Sequence, residues 1–126
     1  MSRYTAVTDD DLREMLATIA RALQVSPPIT WASPQFLEQQ HIEPWSDMPV
    51  WVPAEGDTAG FAQRSIQRAL RTGLTFRPLA ATSVDTLAWF RQQPDERQAK
   101  LKAGLTPDRE SAALTAWKAG TQASGG

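Results

Sequence analysis

Cysteine is absent from this chain, and histidine and tyrosine occur once each, as His41 and Tyr4. No disulfide framework, thiolate metal site or cysteine nucleophile can be built from it. Neither a histidine cluster nor a Tyr-plus-Lys proton relay exists. A catalytic metal would have to be held by carboxylates alone, and no group of acids has ligand-like spacing. The patterns GxGxxG, GxxxxGK[ST] and HExxH are all missing, so no phosphate-cradling glycine loop or zinc helix is present. No run approaches the ~20 apolar residues of a membrane span. Met1 to Asp11 also lacks the basic-then-apolar order of a signal peptide. These absences argue against an enzyme confined to this chain, against a metal or cofactor of its own and against a membrane partner. They fit a protein of the reducing cytoplasm.

What is present is enough for one domain. The 126 residues can bury roughly two-thirds of their unfolded surface without staples. The net charge of −1 hides an asymmetry. Residues 1–63 carry nine acids against Arg3, Arg13 and Arg21, and residues 64–126 carry ten bases against five acids. Two explanations stand: the halves neutralise each other, or the second half offers a basic surface to an anionic ligand. Nucleic acid is not expected, because the chain as a whole is not basic and has no recognised binding motif.

The stretch Pro44-Trp45-Ser46-Asp47-Met48-Pro49-Val50-Trp51-Val52-Pro53 stands out. Three prolines fix φ along it and push the preceding residues toward extended conformations. Such a segment is neither a helix interior nor a central strand. Its two Trp, Met and two Val are too apolar for an idle linker, so it walls either the core or a pocket. Both readings stay open for Trp45, Met48 and Trp51.

Thr8-Asp9-Asp10-Asp11 reads as a helix start, with Thr8 as cap and acids at the positive end of the dipole. Leu12, Met15, Leu16, Ile19, Ala20 and Leu23 then form one apolar stripe, predicting a helix over 9–24. Ile29-Thr30-Trp31 reads as a brief strand. Ser33-Pro34 reads as the cap and first residue of a short helix carrying Phe36 and Leu37. Ala54 to Gly60 is turn-rich and is the candidate mobile segment. Ser65 is expected to cap a third helix through Thr72, with Gly73 as its left-handed terminator. Leu74-Thr75-Phe76 reads as a second short strand. A fourth helix is expected over 80–93, with Val84, Leu87 and Ala88 on one face and Phe90 or Trp89 on its shoulder. Thr106-Pro107-Asp108 opens a last helix ending near Gly120. Trp31, Trp89 and Trp117 are expected to pack in the core.

The predicted fold is α+β: a small, mainly helical lobe of four or five helices with two or three short strands. It would form a single domain over residues 1–120, followed by a disordered tail at 121–126. His41 sits near Glu38 and Glu43 at the end of the short helix, the ordinary setting of a surface histidine. Arg64, Arg68 and Arg71 are spaced i, i+4, i+7, with Arg77 beyond. They form either a solvated face paired with the acidic half or a grip on a phosphate or carboxylate.

The order of these features resembles the C-terminal, substrate-binding lobe of the NAD-dependent epimerase/dehydratase family, the extended short-chain dehydrogenases/reductases. Phe36-Leu37-Glu38 through Pro44-Trp45 to Pro49-Val50-Trp51-Val52-Pro53 resembles the segment that precedes the substrate lid. Gly73-Leu74-Thr75-Phe76-Arg77-Pro78-Leu79 with Asp85-Thr86-Leu87-Ala88-Trp89 is similar to a run near the C-terminus of one branch. Gly104-Leu105-Thr106-Pro107 and the Trp117 helix resemble its terminal helix, so the likeness covers about residues 5–118. The resemblance implies a substrate-pocket wall, with Trp45, Met48, Trp51, Phe61, Arg64 and Arg77 as candidate substrate-binding residues. It places the NAD(P) site and the Tyr/Lys pair on an N-terminal Rossmann domain that this chain lacks. Relatives usually carry Asp where Ser65 stands. Ser caps a helix equally well, but a substrate contact through that Asp would be lost. The implied function is a substrate-binding lobe without hydride-transfer activity of its own. The alternative is an interaction module that self-associates or docks on a separate Rossmann-bearing chain.

Overall fold

The computed structural model describes residues 9–61 and 63–124. Its elements are α1 (Asp9–Ala22), α2 (Pro34–Gln39), a 3₁₀ turn (Gly56–Thr58), α3 (Gln67–Arg71), α4 (Leu79–Arg91), α5 (Asp95–Ala99) and α6 (Pro107–Ser124). The fold is mainly helical, and no strand occurs among the described residues. The nearest approach to one is an isolated bridge between Pro44 and Met48. The two expected strands are therefore corrected. Leu74 spends its N–H on the carbonyl of Ala69, and Pro78 follows close behind without a donor. Ile29-Thr30-Trp31 lies exposed.

The chain divides into two compact units, each made of two stretches of sequence. The first holds 1–28 and 54–100; the second holds 29–53 and 101–126.

In the first unit α1 packs on α4. Leu12, Leu16, Ile19, Ala20 and Leu23 of the apolar stripe are half-buried, as the spacing requires. The proposed Thr8 cap lies outside the described residues. On α4 the inward side carries Ser83, Leu87 and Phe90, while Val84 and Ala88 are exposed. The expected inward set therefore holds only for Leu87. A 3.6-residue period puts Ser83, Leu87 and Phe90 on one side, and Val84 and Ala88 on another. The helix α5 was not expected. Its start, Pro94-Asp95-Glu96, repeats the proline-then-acid pattern that correctly located α6, and Arg97 N–H bonds the Pro94 carbonyl at 2.8 Å. Gln98 then donates its amide to the carbonyls of Arg91 and Gln93, closing the end of α4.

In the second unit Ser33 caps α2, its hydroxyl accepting from Phe36 N–H at 3.2 Å, with Pro34 in the first turn. Thr106 caps α6 in the same way through Arg109 N–H at 3.3 Å. The helix continues past Gly120 to Ser124, so residues 121–124, expected to be tail, are helical. Phe36 and Trp117 meet edge to face with centroids 4.9 Å apart. Trp117 thus packs as expected, whereas Trp31 and Trp89 are 37% and 55% exposed.

Three helices end the same way. In each, the residue after the C-cap has positive φ, and two N–H groups return to the last turn. For α3 this residue is Gly73, with Gly73 N–H on Leu70 O and Leu74 N–H on Ala69 O. For α1 it is Gln24, and for α2 it is His41. A side chain in the left-handed region costs roughly 1–2 kcal/mol, which glycine avoids. We predict that Gly73→Ala destabilises by about 1 kcal/mol, although nothing crowds its Cβ position. His41→Gly should instead stabilise by a similar amount, about 1 kcal/mol. Urea unfolding checks both, and equal midpoints for all three proteins would refute the assignment.

Candidate functional site

The proline-tryptophan loop is fastened at one point. Asp47 receives both arms of the Arg109 guanidinium, Nη1 on Oδ1 at 2.8 Å and Nη2 on Oδ2 at 3.0 Å. The same Nη2 also donates to the His41 carbonyl at 3.0 Å. Asp47 in turn accepts from Glu43 N–H at 2.8 Å, and its own N–H returns to the Glu43 carbonyl. One arginine thus joins α6, the end of α2 and the middle of the loop. Further backbone bonds complete the loop. Trp45 N–H reaches Trp51 O, Trp51 N–H reaches Met48 O, and Gly104 N–H reaches Ser46 O at 2.9 Å. Gly104 adopts φ +95° at that approach, a conformation few side chains accept.

The loop has two left-handed residues of its own, Trp45 and Val50, both at φ 69°. For a β-branched residue such as Val50 this is strained backbone, held by what surrounds it. Trp45 is 56% exposed and Val50 77%, while Met48 and Trp51 are half-buried. The loop therefore does not pack wholly into a core. Only Ile42, at 5% exposure, is buried among the described apolar residues.

Of the six candidate residues, Trp45, Met48 and Trp51 lie in the second unit, and Phe61, Arg64 and Arg77 in the first. They are not gathered into one unit. Phe61 is half exposed and Arg64 exposed. Arg77 is paired with Asp85, so the two halves of the C-terminal sequence run are joined by an ion pair. Both partners are well exposed, which keeps its contribution small. The arginine stripe is interrupted, because α3 begins only at Gln67. Ser65 does not hold the cap position expected for it: Ile66 stands there with no side-chain cap bond, and Ser65, one residue earlier, accepts from Gln67 N–H at 3.2 Å.

Asp47 and Arg109 were not singled out in the sequence. One signal was available: Arg109 lies in the first turn of α6, where the helix dipole disfavours a cation. A basic residue in that place implies an acidic partner elsewhere. Among the described residues no group of three or more acids and histidines could hold a metal, and no helix is long and apolar enough to cross a membrane. No family model matches the chain, and no curated protein or solved structure matches it.

The hydrogen bonds from Arg109, then that from Glu43 N–H, hold the Asp47 carboxyl below its ordinary value of 3.8. They outweigh the opposing effect of desolvation. The folded protein therefore binds fewer protons here than the unfolded chain. The stabilisation is fully present above pH 3.8 and is lost as pH falls through the folded value. Asp47→Asn should lower the melting temperature at pH 7, and the gap to wild type should close below pH 3.8. The double variant Asp47→Asn/Arg109→Met should melt little lower than either single variant, because both remove one interaction. Additive losses, or a gap independent of pH, would contradict the pairing.

Proposed function

We propose that this chain is a substrate-lobe-like module that works docked on a separate chain, the partner being a Rossmann-bearing protein that supplies cofactor and proton relay. One observation carries the reading: the distribution of apolar surface. Among the described residues thirteen large apolar side chains are more than a third exposed, including Val50, Phe61, Phe76, Trp89 and Leu101 at 50% or above, and a single apolar residue is buried. Apolar surface left open on this scale favours association.

The resemblance in sequence supports the choice of partner. In an epimerase or reductase the C-terminal lobe walls the substrate pocket of its own Rossmann domain. A lobe on a separate chain would do so in trans. Trp45, Met48 and Trp51 then supply a stiff apolar wall within the second unit.

The test mixes this chain with the Rossmann domain of an extended short-chain reductase that has been cut free of its own lobe. The reading predicts a complex in sedimentation velocity and, with that reductase's carbonyl substrate added as hydride acceptor, NAD(P)H oxidation only in the mixture. Without the partner the same surface should drive self-association at high concentration. Two results would overturn the reading: a monomer at every concentration that forms no complex, or cofactor binding by this chain alone.

A further inference from the structure

Arg68 and Arg71 of α3 and Asp10 and Glu14 of α1 lie in the same unit, yet no ion pair joins them. We propose that the two arginines dock on the two acids of a second copy of this chain, head to tail.

Three observations carry this. First, the basic patch is not neutralised within the chain. Residues 58–84 contain Arg64, Arg68, Arg71 and Arg77 and no acid. Arg77 is taken by Asp85, but among the described residues no acid pairs with Arg64, Arg68 or Arg71, and all three are exposed. Secondly, the chain carries the matching charge. At the start of α1, Asp9, Asp10, Asp11 and Glu14 outnumber Arg13. Asp10 and Glu14 are exposed, and neither enters an ion pair among the described residues. Thirdly, the spacings agree. Arg68 and Arg71 stand at i, i+3 on α3, and Asp10 and Glu14 at i, i+4 on α1. Each pair of like charges therefore shares one helix face and repels itself, a cost that the opposite pair removes on meeting it.

Both pairs sit on one compact unit that leaves them unjoined, so the counter-charge comes from another molecule. Exposed ion pairs are individually weak, and here they set register and encounter rate. The exposed Leu74 and Phe76 after α3, and Met15 beside Glu14, add apolar cover. Each copy uses a different patch on its two sides, so the contact is heterologous and extends beyond a dimer unless a ring closes. The inference does not rest on the Rossmann-bearing partner, and salt separates the two: it weakens ion-paired docking and leaves apolar association in place.

Sedimentation velocity of the whole chain tests it. Raising NaCl from about 50 mM to about 500 mM should weaken self-association about tenfold or more. The variants Arg68→Glu/Arg71→Glu and Asp10→Lys/Glu14→Lys should each stay monomeric where wild type associates. An equimolar mixture of the two should associate again, because each then offers the charge that the other lacks. A wild type that stays monomeric at low salt would overturn the proposal, as would a mixture that stays monomeric. Association that survives high salt or either double substitution would also overturn it, leaving apolar surface as the cause. Lysine opposes the dipole at the start of α1. Should that variant fail to fold, Asp10→Asn/Glu14→Gln replaces it and should weaken association as much as high salt does; wild-type association in it would again overturn the proposal.

Discussion

The fork of Arg109 is the constraint on which the second unit depends. Its two stretches, 29–53 and 101–126, are distant in sequence and share almost no buried core. Among the interactions that join them are a bidentate ion pair, a bond from the same arginine to the His41 carbonyl, an edge-to-face aromatic contact and a backbone hydrogen bond from Gly104 to Ser46. Geometry makes the pair effective. A planar guanidinium meets a planar carboxylate with two parallel bonds, and the carboxylate is only 17% exposed. Lysine could replace the charge but not the fork.

That arrangement also explains where the loop's apolar residues go. Proline at 44, 49 and 53 limits the conformations available to the segment. Within it Trp45 and Val50 adopt left-handed backbone. Val50 is left in water, and Trp45 is more exposed than covered. A loop fastened by charge and strained in its backbone is built to present side chains outward. The same excess of open apolar surface runs through the first unit, at Phe61, Leu74, Phe76, Val84 and Trp89.

The sequence was legible at several places where local chemistry decides the structure, although the Pro94-Asp95 start of α5 went unread and Ser65 does not cap α3. Ser33-Pro34 and Thr106-Pro107 located two helix starts because a hydroxyl cap and an N1 proline act within one turn. Gly73 located a helix end because left-handed backbone favours glycine. Non-glycine terminators were not legible: Gln24 and His41 adopt the same geometry through hydrogen bonds that composition does not announce. The strands at 29–31 and 74–76 failed because β-prone residues need a neighbouring strand, and propensity is silent on whether one exists. The Asp47–Arg109 pair lies 62 residues apart, beyond any local rule. Core assignments for Trp31, Val84, Ala88 and Trp89 failed for a related reason. Apolar residues go inward only where another element covers them.

The isolated chain leaves many of its large apolar side chains open to water. The heat-capacity change on unfolding measures that surface most directly, because apolar exposure dominates it. For 126 residues that bury a normal share it would be about 1.7 kcal/mol/K. The account predicts a value well below this for the monomer, measured calorimetrically at a concentration where sedimentation shows no association. A value at or above it would mean that the apolar side chains are covered within the single chain, and the claim would fall.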